Sequence, residues 1–452
     1  MRPLWFRLGL AAVLAATAFA VYWMRPEPLP DTETLAVADI ARPHQPAKGI
    51  VFLFSGADGY TQNDTQTARQ LADAGALVVG IDLRKTFAKV ASGSDCVYFV
   101  SDIEELSQLI QRSTGAEAYL NPVIAGAGSG GAMVMALVAQ SPLATIGRAV
   151  AVDPKADLPL KRELCSDSPH VQAADGQGWT YGLQAGELPA PVTVVQTADA
   201  DPAGQTHVAG LVTQGFAIDR VTASVGETKA LSAAVERALS QPAAPAGDAL
   251  ADLPLALLPA AARHDTMAIV LSGDGGWRDI DRELGEALSQ AGVPTVGIDS
   301  LRYFWTRKPP ETIAADLTRI VDHFTRTWKV HRVVLIGYSF GANALPAAYN
   351  QLAPAEQSRV SLISLLALSR WAEFEFDVGG WLGMDGDTSH PTLPDAARIP
   401  ASILQCVYGA DDDDSVCAEL AGSGADIVMM DGGHHFDDDY AGLAKRIIAR
   451  IR

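Results

Sequence analysis

Three short stretches of this 452-residue chain carry residue types that together can open an ester, a thioester or an amide. The first is Gly337-Tyr338-Ser339-Phe340-Gly341, which follows the apolar run Val333–Ile336 and precedes a segment of small residues. A G-x-S-x-G pentapeptide between a strand and a helix makes a sharp turn that lifts the serine oxygen above the sheet. A serine hydroxyl attacks a carbonyl only when a base takes its proton and an acid orients that base. The second stretch, Tyr408-Gly409-Ala410 followed by Asp411 to Asp414, supplies acids, and the third, Gly432-Gly433-His434-His435-Phe436, supplies imidazoles. Serine, acid and histidine, each on the loop after a strand, is the chain order of hydrolases built on such an elbow.

Roles can be assigned within this set. Ser339 is the nucleophile. His434 directly follows the glycine pair and stands two residues before an aromatic, which makes it the base; His435 is the alternative, or else packs in the core or touches substrate. Asp412, three residues past Gly409, has the reach of the orienting acid, with Asp414 as the alternative. The remaining aspartates are then a solvated acidic turn. An oxyanion needs two donors. One is the Phe340 amide, and the other is expected from Leu271-Ser-Gly-Asp-Gly-Gly-Trp277, where Gly273, Gly275 or Gly276 can present an N–H. Asp274, Trp277, Tyr338 and His435 are the candidates for contact with substrate. The sequence calls for no metal and no organic cofactor. It has no CxxC or Cys/His cluster, the acidic run lacks EF-hand spacing, and Gly126-Ala-Gly128-Ser-Gly130 lacks the lysine of a phosphate-binding loop.

The elements that must hold these residues alternate. Ile269–Ser272, Thr295–Ile298, Val333–Ile336, Val360–Leu366 and Ser402–Tyr408 read as strands, and residues around 280–291, 311–327, 342–352 and 440–451 as helices. Such alternation predicts an α/β fold with a mostly parallel sheet flanked by helices on both faces. The pattern occurs twice. Ser55-Gly56 matches Ser272-Gly273 and Val79-Gly80-Ile81-Asp82 matches Val296-Gly297-Ile298-Asp299, both at an offset of 217 (272 − 55 and 296 − 79). Further on, Ser129 falls opposite Ser339 at an offset of 210 (339 − 129). An internal duplication accounts for this and predicts two tandem α/β-hydrolase-like domains. The first copy has Asp199 and Asp201 near the place of the acid, but no histidine where the second has His434, so it is expected to be catalytically silent.

The predicted organisation is a leader at 1–24, a linker at 25–46, a degenerate hydrolase-like domain at 47–239, an Ala/Pro-rich linker at 240–263 and a catalytic domain at 264–452. Arg2 and Arg7 precede an uncharged stretch from Leu8 to Met24 that contains Ala18-Phe19-Ala20, the pattern of a cleaved signal peptide. The same stretch is long enough to serve instead as an uncleaved anchor. Either reading exports the body of the chain. Export and an even number of cysteines allow disulfides, most simply Cys96–Cys165 and Cys406–Cys417, with free buried cysteines as the alternative. The formal net charge of −19 and the lack of a Lys/Arg cluster exclude a nucleic-acid binder.

Taken together, the second copy resembles the AcvB/VirJ family of exported bacterial α/β-hydrolase-like virulence proteins. The resemblance is carried by SGDGGW, GIDSLRYFW, LIGYSFGANALP, FEFDVGGWLG, QCVYGADDDDSVC and GGHHFDDDY. The leader and first copy look like the longer, AcvB-type arrangement. The resemblance implies Ser339 as nucleophile, an acid from 412–414 and His434 as base. The family tends to place a glutamate at the position of Asp412, which leaves the choice of acid open. It also implies hydrolysis of aminoacyl-phosphatidylglycerol, lysyl or alanyl, at the outer surface of the inner membrane, in the periplasm. The partner is then an anionic phospholipid bearing an aminoacyl headgroup. Its cationic amine would suit acidic neighbours such as Asp274, Glu373, Glu375 and Asp377, though the segment from Trp371 can equally be a packed loop or lid. The family resemblance also allows a non-catalytic role in binding secretion machinery or exported cargo, and the residues alone allow another small ester.

Overall fold

The computed structural model describes residues 29–93, 95–143, 145–240, 250–376 and 390–451. The expected leader lies outside these residues. Among the described residues no helix is long and apolar enough to cross a membrane.

Seven strands form the sheet of each copy. In the first they are β1 (Val37–Ala41), β2 (Gly49–Phe54), β3 (Ala76–Ile81), β4 (Val123–Ala127), β5 (Arg148–Val152), β6 (Val192–Gln196) and β7 (Ile218–Thr222), in spatial order β1-β3-β2-β4-β5-β6-β7. In the second they are β8 (Leu255–Leu258), β9 (Thr266–Leu271), β10 (Thr295–Ile298), β11 (Arg332–Tyr338), β12 (Val360–Leu366), β13 (Leu404–Gly409) and β14 (Asp426–Met430), in the corresponding order β8-β10-β9-β11-β12-β13-β14. Only the leading edge strand of each sheet runs antiparallel to its neighbour. The expected α/β architecture, two tandem mostly parallel sheets, is the one observed.

Apolar residues on both faces of the central strands drive this layering. Met267, Ile269 and Leu271 of β9 enter a core with the helix Pro310–Trp328, whereas Ala268 and Val270 face the opposite core with the helix Asp279–Gln290. The period of 2 along a strand covered by helices on both sides has this consequence.

Two stretches expected to be linkers contribute strands instead. Val37–Ala41, inside 25–46, pairs with β3, and Leu255–Leu258, inside 240–263, pairs with β10. Leu255-Ala-Leu-Leu258 lies between Pro254 and Pro259, and proline is tolerated at the ends of an edge strand. The Pro/Ala composition therefore conceals a strand.

Both expected disulfides are present, Cys96–Cys165 with Cα atoms 4.9 Å apart and Cys406–Cys417 at 5.5 Å. The second ties β13 to the far end of the acidic loop.

Candidate active site

Ser339 follows directly on β11 at φ 50°, ψ −114°, immediately before the helix Phe340–Gln351. Its amide donates to Leu366 O at 2.9 Å, which fixes the turn against β12. The flanking glycines are sterically required. A Cβ on Gly337 would stand 2.5 Å from Gly341 O, and one on Gly341 would stand 2.3 Å from Leu271 O.

The structure brings three of the expected residues into one hydrogen-bonded chain. Ser339 Oγ donates to His434 Nε2 at 2.9 Å, and His434 Nδ1–H donates to Asp412 Oδ2 at 3.1 Å. The Asp412 side chain is only 5% exposed, so its charge is kept from water and directed at the imidazole. The loops that carry these groups are laced together, with Ala410 N–H donating to Met430 O at 2.8 Å and Asp411 N–H to Gly432 O at 2.9 Å. Phe436, buried at 1% exposure, anchors the loop just past the histidines.

Asp414 lines the cleft beside Ser339 rather than bonding the imidazole. His435 has its Nδ1 3.2 Å from the Tyr338 hydroxyl, while His434 is the histidine bonded to the serine. Tyr338 also donates to His434 O at 3.4 Å. It is buried rather than part of the cleft lining, and burial pushes its hydroxyl pKa well above the usual tyrosine range. Tyr338 and His435, expected to touch substrate, instead brace the histidine loop.

Trp277 requires a similar correction. Its indole fills a slot left by two glycines, since a Cβ on Gly297 would lie 2.3 Å from the ring and one on Gly285 3.0 Å. The side chain packs in the core and does not line the cleft.

The loop Ser272–Arg278 also departs from expectation. The Gly273 amide donates to Asp281 Oδ2 at 3.3 Å and so points away from an oxyanion. Gly275 lies against the Arg278 guanidinium, and the Gly276 amide donates to Gly273 O at 3.2 Å. Asp274 is the residue of this loop that lines the cleft with Ser339 and Phe340. Of the expected glycine donors, Gly273 and Gly276 therefore have their amides engaged within this part of the fold, Gly273 by a carboxylate buried under the loop, while Asp274 reaches the cleft as expected.

That carboxylate is unusual. Asp281 Oδ1 is buried with no partner. Burial first of all, and then the Asp279 and Asp299 carboxylates, raise its pKa well above the ordinary range, against the opposing Gly273 hydrogen bond. A folded-state pKa above the unfolded one contributes stability that is complete below the ordinary carboxylate pKa of about 4 and is lost as pH rises through the folded value. Asp281→Asn keeps the group neutral at every pH. Its melting temperature relative to wild type is expected to rise by roughly 3 °C between about pH 5 and about pH 8. Thermal melts at the two pH values check this, and an equal offset at both contradicts it.

The cleft has a volume of about 600 Å³. Among the described residues its lining includes Asp274, Glu373, Asp413, Asp414 and Glu419, against one cation, Arg370, which pairs with Glu419. Glu375 stands outside this lining, facing Arg112 at 3.8 Å, and Asp377 lies outside the described residues. Asn343 was not anticipated. It sits one helical turn after Ser339, lines the cleft, and its Oδ1 accepts from Ser369 N–H at 2.8 Å. The i+4 spacing from the nucleophile was the available signal.

In the first copy the elbow is shifted by one residue from its expected register. Gly128, at φ 56°, ψ −113°, occupies the conformation of Ser339, and its amide donates to Val152 O at 2.9 Å as Ser339 does to Leu366. The true offset is 211 (339 − 128), which places Gly126 and Gly130 at the positions of Gly337 and Gly341. Ser129 is then the first residue of the helix Ser129–Gln140 and corresponds to Phe340. The first copy lacks the nucleophile as well as the histidine.

Two mostly parallel sheets flanked by helices, one with a serine on a sharp strand-to-helix turn bonded to a histidine, give the chain the α/β-hydrolase fold twice over. Residues 265–452, the second copy, match the family of the bacterial virulence protein VirJ. No curated protein matches this chain in sequence. Among solved structures the chain is similar to an α/β serine hydrolase without a lid from Xanthomonas campestris, at 18% identity over 44% of this chain and 86% of that one, with a TM-score of 0.30. It is also similar to Est1E from Butyrivibrio proteoclasticus, at 14% identity over 44% and 93%, TM-score 0.32. A third is the Francisella virulence factor BioJ, at 10% identity over 51% and 91%, TM-score 0.31.

Proposed function

We propose that the second copy is a serine hydrolase that removes the aminoacyl group from aminoacyl-phosphatidylglycerol, giving free amino acid and phosphatidylglycerol. The observation that carries the hydrolase reading is the chain from Ser339 through His434 to Asp412. In this mechanism Ser339 Oγ attacks the ester carbonyl while His434 Nε2 takes its proton. Asp412 holds the Nδ1–H and stabilises the imidazolium as it forms. The negative charge on the carbonyl oxygen falls to the Phe340 amide next to the serine and to a second amide of the glycine-rich loop, where Asp274 lines the cleft. His434 then returns its proton to the departing glycerol oxygen, and water releases the amino acid from Ser339.

Charge and position support this substrate. An aminoacyl ester carries a cationic amine next to the reacting carbonyl, and among the described residues the cleft is lined by five carboxylates and one arginine, which pairs with Glu419. Trp371, 52% exposed, also lines it, and an exposed indole suits a lipid–water interface. Two disulfides suit an oxidising compartment, which supports the periplasm as the place of action.

The test is direct. Purified protein is mixed with phosphatidylglycerol vesicles containing lysyl- or alanyl-phosphatidylglycerol, and freed amino acid is measured. Release from the vesicles is the expected result. Turnover of soluble esters with the lipid left intact would assign the site to another small ester.

A further inference from the structure

One short segment of the first copy, residues 104–119, reaches three parts of the second copy that bound the cleft. Glu104 Oε1 accepts from Arg278 at 2.5 Å, and both side chains are largely buried, at 16% and 25% exposure. The Arg278 guanidinium in turn lies where a Cβ on Gly275 would be, 2.8 Å away, and so backs the loop that carries Asp274. Trp305 Nε1–H donates to Ala116 O at 2.8 Å, while Arg112 stacks 4.0 Å over the Trp305 ring and donates to its carbonyl at 2.6 Å. Trp305 follows Phe304, whose ring packs 4.9 Å from that of Phe340, the residue after Ser339.

The third contact concerns the cleft wall. Arg112 also donates to Phe376 O, and Phe376 N–H donates to Phe304 O at 2.7 Å. Phe376 lies three residues past Glu373, which lines the cleft with Trp371. Tyr119, Leu301, Trp305 and Phe376 form a small buried cluster between the copies, separate from the larger cores.

We propose that the first copy is a built-in positioning domain: through Glu104, Arg112 and the turn at Ala116–Tyr119 it sets the glycine-rich loop, the elbow and the Trp371–Phe376 wall at the spacing the reaction requires. This inference rests on the hydrolase reading of Ser339. The contacts are of the kind that fix register. Arg112 forks onto two main-chain carbonyls, and Glu104 meets Arg278 as a largely buried charged pair whose removal leaves the guanidinium facing the more exposed Asp279, 3.7 Å away. Oxyanion donors and cleft walls act through position, and a displacement of about 1 Å costs on the order of 100-fold in rate. A copy with neither nucleophile nor base thus has a task that needs neither.

Full-length Glu104→Gln and Arg112→Met test the proposal. The readouts are kcat and KM on an ester that wild type turns over, the rate at which a fluorophosphonate probe labels Ser339, and thermal midpoint. Each variant is expected to lower kcat and labelling rate by about 10- to 100-fold with KM changed less than about threefold. Exchanging the pair, Glu104→Arg with Arg278→Glu, is expected to recover most of the Glu104→Gln loss. Rates within about twofold of wild type in both variants would show that the interface merely joins the copies. A loss that tracks unfolding and is not recovered by the exchange would likewise overturn positioning. Wild-type Ser339 that takes no label and turns over no ester would instead remove the hydrolase reading, and this inference with it.

Discussion

Ser339→Ala is expected to lower kcat for ester hydrolysis by about 10⁶-fold, the scale seen when the nucleophile of such a triad is removed. What remains is the catalysis supplied by binding and the oxyanion donors alone. The substitution deletes one oxygen whose hydrogen-bond partner among the described residues is His434, and it leaves the turn amide on Leu366 untouched, so the fold should persist. Ser129→Ala in the first copy is expected to change turnover by less than about twofold, because Gly128 and not Ser129 stands at the apex of that turn. Initial rates of amino acid release under saturating substrate check both. A Ser129 effect comparable to that of Ser339 would contradict the account.

The second large effect concerns the imidazoles. His434→Ala is expected to cost about as much as Ser339→Ala, since a nucleophile without its base is as idle as a base without its nucleophile. Non-additivity follows, and the double variant should be no worse than either single one. His435→Ala removes only a partner of the Tyr338 hydroxyl and should cost less than about tenfold. Asp412→Asn leaves the base with the wrong tautomer and should cost about 10⁴-fold, whereas Asp414→Asn, which makes no bond to His434, should cost less than about tenfold. Single-site kinetics across these four variants separate the neighbours. Parity between the two histidines would show that the loop rearranges on binding substrate.

The sequence disclosed the second elbow because its requirements are local. Two glycines that must clear neighbouring backbone, a serine between them, and a strand before and a helix after are all written within about a dozen residues. Most strand ends fell within a residue or two of those observed, Thr295–Ile298 and Val360–Leu366 without any shift and only the start of β9 three residues off, because apolar runs covered on both faces leave little freedom. Cys406–Cys417 was legible for a similar reason, the two residues flanking one loop.

What escaped was set at longer range. Gly126-Ala-Gly-Ser-Gly130 fits the elbow pattern in two registers, and only the end of β4 against β5 decides that Gly128 takes the apex. Trp277 reads as a site aromatic until Gly285 and Gly297, from a helix and a neighbouring strand, open a slot beneath it. The direction of the Gly273 amide depends on Asp281, eight residues away and fully buried. The segments around Leu255 and Val37 look like linkers because an edge strand needs only one partner and tolerates proline at its ends. In each case the deciding neighbour comes from a different element.

The central claim is that Ser339, and no other serine, is the activated nucleophile. Peptide mass mapping after exposure of the full-length protein to a fluorophosphonate tests it most directly, because only a deprotonated, oxyanion-backed hydroxyl reacts rapidly with such a probe. The account predicts a single adduct on the peptide containing Ser339, absent from the His434→Ala variant. An unmodified Ser339 peptide, or an adduct on Ser129 in its place, would contradict it.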